Sequence, residues 1–194
     1  MSRNDSIFIK LFLIALKKLT KNKFKVIICD NGSDKKNQLL LSKIVSSFKN
    51  VHLIRMELEA GNKGHGKALD YLINNTDTKY CVVMDSDCIV LKNNWDEIMI
   101  NSLCDSVKII GATSPVKRKG NRIGAGDFPL PFLALFETNF YKSMNISCMP
   151  GDILLGQDTC WEWKTKIENN NYKGKTFTTL NTRDYDKGPF KRLT

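Results

Sequence analysis

The chain has 194 residues, 42% hydrophobic and 26% charged. That balance excludes a disordered polymer and suits one domain with a core of useful size. Lys and Arg number 30 against 20 acidic residues, a net +10, and such a field favours anionic partners. The basic residues are spread along the chain, apart from Lys117-Arg118-Lys119 with Arg122. Neither zinc-finger spacing nor an aromatic–basic RNA signature accompanies them, so nucleic acid is not an expected partner.

Residues 6–19 are predicted to form a helix, because 7–16 is almost wholly apolar, interrupted only by Lys10. The run is too short to span a bilayer, which takes about 20 apolar residues. Arg3 is offset by Asp5, and Lys17-Lys18 stand where a signal cleavage site would be, so a secretory signal is not expected. A buried amphipathic helix is the leading expectation, and peripheral contact with a membrane surface the lesser one. A short buried strand over 24–29 runs into Asp30-Asn31-Gly32-Ser33-Asp34. Leu40, Leu41, Ile44, Val45 and Phe48 follow at helical spacing, and 51–56 alternates like a strand.

A glycine-bearing turn over 61–66 leads into a helix with Ala68, Leu69, Leu72 and Ile73 on one face. Residues 80–84 are continuously apolar, as in the middle of a parallel sheet. Trp95, Ile98, Met99 and Leu103 mark a further helix, and 107–112 a further strand. After Gly111 the pattern loosens. Residues 117–127 read as a basic loop, 128–144 as an apolar and aromatic stretch with no element assigned, 157–168 as helix and 175–180 as a last strand. The tail over 181–194 is uncommitted. This alternation predicts an α/β fold, a single domain over 1–194 with a mostly parallel central sheet flanked by helices on both faces. The six cysteines are scattered without a C-x-x-C pair, which points to a reducing, cytoplasmic compartment, with no disulfide frame and no zinc site.

In parallel α/β sheets, ligands sit at the carboxyl ends of the strands. Here those ends hold acids: Asp30 after one strand, Asp85-Ser86-Asp87 after another. Two aspartates one residue apart suit a hard divalent cation, Mn²⁺ or Mg²⁺, whose other positions go to water and phosphate oxygens. A lone D-x-D is weak evidence. Its place after a buried strand, with Asp30 at a second strand end, is what makes it a candidate site.

The ordered set of motifs resembles family 2 glycosyltransferases of the GT-A type over roughly residues 7–180. Residues 24–34 (FKVIICDNGSD) are similar to that family's strand entering an Asp-Asn-Gly-Ser turn, and Asn62 to Ala68 to its turn before the next helix. Residues 80–87 resemble its metal-binding strand, Gln157-Asp158-Thr159 with Trp161-Glu162-Trp163 its acidic motif, and Asn171-Tyr172-Lys173-Gly174 the end of the following helix. The resemblance implies a Rossmann-type sandwich that moves a sugar, with inversion, from a nucleotide-diphosphate sugar to a saccharide or lipid-linked acceptor. It implies nucleotide-sugar binding by Asp30, Gly32, Ser33, Lys63, Gly64, Lys67, Asp85 and Ser86, and metal binding by Asp85 and Asp87. Asp158 would be the general base, and Trp161 and Glu162 would meet the acceptor.

Other roles stay open for several of these residues. Asp30 could serve its own turn, and Asp158 could complement a helix dipole. Trp161 and Trp163 could be core, and His65 reads as a loop residue. One departure from the family stands out: it opens with a central strand between the second strand and the D-x-D strand, and nothing before residue 7 supplies it. The expectation is an N-terminally incomplete domain, with two rows of unpaired backbone groups and one wall of the nucleotide pocket missing. A non-catalytic remnant that binds a nucleotide sugar or a glycan is therefore the alternative function, and a nucleotidyltransferase a third.

Overall fold

The computed structural model describes residues 3–113 and 128–177; the basic loop over 117–127 and the tail over 181–194 lie outside them. The elements run α1 (Ser6–Leu19), β1 (Val26–Asn31), α2 (Lys35–Ser46), β2 (Val51–Met56), α3 (Asn62–Asn74), β3 (Tyr80–Met84), α4 (Trp95–Ile100), β4 (Val107–Ala112), β5 (Leu133–Glu137), α5 (Thr138–Ser143), α6 (Glu162–Asn169) and β6 (Lys173–Phe177). A 3₁₀ turn, Ile153–Leu155, precedes α6.

The strands form two sheets. β1 and β2 pair in parallel, Val26 opposite Val51, and the second sheet has the order β3-β5-β4-β6. β4 and β6 are parallel, whereas β5 is antiparallel to both its neighbours. The expected parallel sheet is thus parallel only in part. The strand that breaks the pattern lies in the stretch over 128–144 that carried no assignment. Pro129 and Pro131 precede β5 and disguise it, yet Leu133 to Glu137 then alternates between the two cores.

That alternation builds two cores, one on each face of the larger sheet. Ile110, Leu133 and Leu135 join α1, α2 and α4 through Ile9, Leu13, Leu41, Trp95 and Met99. Ile109, Ala134 and Phe136 face the other way, onto Leu69, Ile73, Tyr141, Trp163 and Ile167 from α3, α5 and α6. Successive residues on opposite faces both find cover, which is why these strands read as unbroken apolar runs. Phe136 stacks on Tyr141 with ring centroids 4.3 Å apart, and Trp163 Nε1 donates to the Tyr141 hydroxyl at 2.7 Å.

β1 and β3 do not pair. Between them lies a cavity of about 570 Å³ whose lining includes Val26, Ile28, Val82, Met84, Ile9 and Leu69. Both strands are edges of their sheets.

Several element ends differ from the sequence reading. β1 reaches Asn31, so Asp30 and Asn31 are strand residues, and both side chains are buried. α3 begins at Asn62, so the glycine-bearing turn is the first turn of a helix. α6 begins only at Glu162, because Gly156 and Cys160 adopt left-handed backbone, φ 78° and 64°, and break the helix expected from 157.

Candidate active site

Several of the candidate residues lie near the first turn of α3. Gly64 sits so close to the chain after β2 that a Cβ there would lie 1.9 Å from the Glu59 carbonyl oxygen and 3.4 Å from Asn31 Nδ2. His65 Nε2 lies 3.9 Å from Asp85 Oδ1. Thr159 Oγ1 donates to the Asn62 carbonyl at 3.4 Å, bringing the segment bearing Asp158 to the same helix end. Gly61 caps α3 without a side-chain bond. The first backbone N–H groups of α3 therefore form a positive helix end of the kind that binds phosphate.

Asp30, at the end of β1, is 1% exposed. Its Oδ1 accepts from the Ser33 N–H at 3.3 Å, so it does serve its own turn. Oδ2 has no hydrogen bond, and Arg55 Nε, 3.9 Å away, offsets its charge. Burying such an oxygen without a donor is unfavourable, and a hydroxyl or base N–H of a nucleotide would satisfy it. Asn31, also buried, accepts from the Leu58 N–H through Oδ1 at 2.7 Å and fixes the loop leading to α3. Gly32 has φ 69°, which lets the chain turn sharply after β1.

Asp85 follows β3 directly, its N–H donating to the Phe132 carbonyl at 3.1 Å. Burial pushes its carboxyl up to about 6, and the neighbouring Asp87 adds to the rise. Burial, with both carboxylates, pushes the Cys88 thiol up to about 11, so it stays protonated and offers no thiolate. Among the described residues no three His, Cys, Asp or Glu side chains converge on one point. The protein therefore supplies two hard carboxylates, a set that fits Mn²⁺ or Mg²⁺ completed by water and phosphate oxygens. A cation would also offset the burial, and the lesser effect of Asp87, that raise Asp85.

His65, expected in a loop, stands on α3 inside the site. Burial drops its pKa to about 4, against an opposing pull from Asp158. It is a neutral imidazole at ordinary pH, and its approach to Asp85 is a contact between a neutral ring and a carboxyl group. Sequence reasoning missed it because a helix face cannot be assigned before the helix start is known. Asp158 is exposed, and its Oδ1 accepts from the Thr159 N–H at 2.7 Å. It precedes α6 by a full turn, so it is not the helix cap.

Other candidates are already engaged. The Ser33 hydroxyl accepts from the Asn4 N–H at 2.9 Å, and the Ser86 hydroxyl donates to Asp5. The Lys67 ammonium pairs with Glu59 at 2.8 Å, whereas Lys63 is exposed at the helix start. Glu162 accepts from the Ser147 N–H at 3.3 Å and pairs with Lys166 at 3.1 Å. Trp163 is core, 1% exposed; Trp161 is half-buried.

Solved structures share this architecture. A mannosyltransferase from Pyrobaculum calidifontis, in complex with GDP-Man and Mn²⁺, is similar with a TM-score of 0.69 at 15% identity, covering 95% of this chain and 56% of its own. S. aureus TarS 1-349 in complex with UDP gives 0.63 at 16% identity, covering 91% and 55%. M. tuberculosis glucosyl-3-phosphoglycerate synthase gives 0.63 at 13% identity, covering 96% and 72%. The chain thus spans little more than half the length of the first two. None of the curated proteins compared matches it. The fold is GT-A, and since residues 4–161 match Glycosyl transferase family 2, the chain belongs to that family.

Proposed function

We propose that the protein transfers a sugar, with inversion, from a nucleotide-diphosphate sugar to a saccharide or lipid-linked acceptor at the cytoplasmic face of a membrane. The observation that carries this reading is the meeting of the β1 end, Asp85 and the Asp158 segment at the bare start of α3. Asp30 Oδ2 receives a donor from the nucleotide, and the α3 N–H groups with Lys63 meet the diphosphate. Asp85 and Asp87 would hold Mn²⁺ or Mg²⁺, which when bound would supply positive charge to offset that of the diphosphate. The acceptor oxygen bonds to the anomeric carbon as the bond from that carbon to the diphosphate oxygen breaks. The hydroxyl proton passes to Asp158, and Trp161 offers the acceptor a stacking face.

Calorimetric titration with UDP and with GDP, each with Mn²⁺, tests the reading on the wild-type chain and Asp87→Ala. Tight binding by the wild type and at least tenfold weaker binding by the variant are expected; equal binding would remove the metal assignment. The open slot between β1 and β3 favours one alternative, a domain that binds the donor without turnover. Donor binding with no hydrolysis or transfer above the Asp158→Asn background would select it.

A further inference from the structure

α1 and α2 pack side by side, tied by a bond from Ser6 Oγ to Asn37 Oδ1 at 2.8 Å. Their inner faces fill the core through Ile9, Phe12, Leu13 and Leu16 on α1 and Leu41 and Ile44 on α2. Their outer faces are apolar as well. Ile7, Phe8, Leu11 and Ile14 on α1, with Leu39 and Leu40 on α2, are between 42% and 66% exposed. Neither helix contains an Asp or Glu. Between them they carry Lys10, Lys17, Lys18, Lys35, Lys36 and Lys43, all exposed.

A solvated helix pair usually mixes charges of both signs on its outer face. Here aliphatic side chains alternate with charge of one sign only, on two adjacent helices, in a chain of net charge +10. That pattern complements a surface that is apolar just beneath a layer of negative charge. We propose that the outer face of α1 and α2 docks on an anionic lipid surface, with the aliphatic residues at the headgroup–acyl boundary and the lysine ammoniums at lipid phosphates. The contact is peripheral, since no helix among the described residues is long and apolar enough to cross a membrane.

The docked face adjoins the candidate site. Just before α1, Asn4 donates to Ser33 and Asp5 accepts from Ser86, so Ile7 and Phe8 lie within a turn of the ends of β1 and β3. Docking would hold the site mouth near the bilayer, which suits a lipid-linked acceptor. That last link rests on the transferase reading; the docking surface itself does not.

Co-sedimentation of the 194-residue chain with phosphatidylcholine vesicles, with and without phosphatidylglycerol, tests the proposal. Binding is expected to the anionic vesicles and to fall as salt rises. Lys10, Lys17 and Lys18 changed together to Gln should lower partitioning about a hundredfold at low salt. Leu11→Gln with Ile14→Gln should lower it roughly tenfold or more, whereas Tyr71→Gln, exposed on α3, should change nothing. All these positions are exposed, and circular dichroism checks that each variant folds. Three results would overturn the proposal: a folded chain that stays in the supernatant, equal binding to neutral and anionic vesicles, or a wild-type dimer that Leu11→Gln with Ile14→Gln makes monomeric. UDP and Mn²⁺ titrations of the same variants should match the wild type, so loss of vesicle binding leaves the donor reading standing.

Discussion

Gly64→Ala sets two physical effects against each other. In an exposed helix, replacing Gly with Ala stabilises by up to about 1 kcal/mol, since Ala has the higher helix propensity. At residue 64 the new Cβ would lie 1.9 Å from the Glu59 carbonyl oxygen and 3.0 Å from the Glu59 carbonyl carbon. That is roughly 1.4 Å short of an ordinary carbon–oxygen contact of about 3.3 Å. Both atoms are backbone, so no side-chain rotation relieves the clash, and Leu58 is itself pinned by its bond to Asn31 Oδ1 at 2.7 Å. Overpacking of this kind costs about 1–3 kcal/mol, more than the propensity gain. A net loss of about 2 kcal/mol corresponds to a fall in Tm of about 4–8 °C for a domain of this size. Because α3 must pull away from the chain after β2, UDP binding with Mn²⁺ should weaken in the same variant. Thermal melts and calorimetry measure the two effects. An unchanged or raised Tm with unchanged UDP affinity would refute the close approach and, with it, the site built on the start of α3.

Asp96 accepts bonds from the Lys21 N–H at 3.0 Å, the Asn22 N–H at 2.9 Å and the Asn22 amide at 2.8 Å. Burial alone would raise its pKa, but these donors outweigh burial and leave it below the ordinary value. Its contribution to stability is then present above the unfolded-state pKa and lost as pH falls through the lower folded one. Asp96→Ala should cost about 2–3 kcal/mol near neutral pH, and its urea midpoint should converge on the wild-type value below about pH 4; equal midpoints at pH 7 would contradict this. For Asp85, raised to about 6, protons compete with the cation as pH falls through that value. Mn²⁺ affinity in the presence of UDP should decline by up to about tenfold per pH unit well below it, and a flat profile from pH 7.5 to 5 would count against Asp85 as a ligand. Asp158→Asn should lower transfer by about 10²–10⁴-fold with UDP affinity unchanged; a parallel loss of both would make Asp158 a positioning residue.

Much of this fold was legible because strands buried on both faces advertise themselves. β2, β3 and β4 lie where their apolar runs or alternation placed them. β5 was hidden because its neighbour at residue 131 is proline and its antiparallel pairing is formed with β3 and β4, far away in sequence. A pattern within five residues cannot encode such partners. In the site, Asp30 and Asp85 were readable from their places at strand ends, a purely local relation. The engagement of Ser33 and Ser86 by Asn4 and Asp5 was not, because those contacts span 29 and 81 residues and depend on where α1 packs. His65 stayed hidden for a similar reason: its ring reaches Asp85 only because α3 starts three residues earlier.

The two halves of the site rest on sheets that share no backbone hydrogen bond among the described strands. Asp30 belongs to the β1–β2 sheet and Gly32 follows it, whereas Asp85 and Asp87 follow β3 of the other. Relative motion of the halves is therefore resisted by side-chain packing and by a few tethers. The packing is the core in which Ile9, Leu13 and Leu16 of α1 meet Ile28 and Leu41 on one side and Trp95, Ile110 and Leu133 on the other. The tethers include Lys21 and Asn22 to Asp96, Trp95 to Thr20, and residues 4 and 5, which grip Ser33 after β1 and Ser86 after β3. α1 is thus both the brace across the slot and the helix whose outer face carries the exposed apolar residues. A force applied to that face, by a bilayer or by anything else that binds it, reaches both halves of the candidate site through this packing and these bonds.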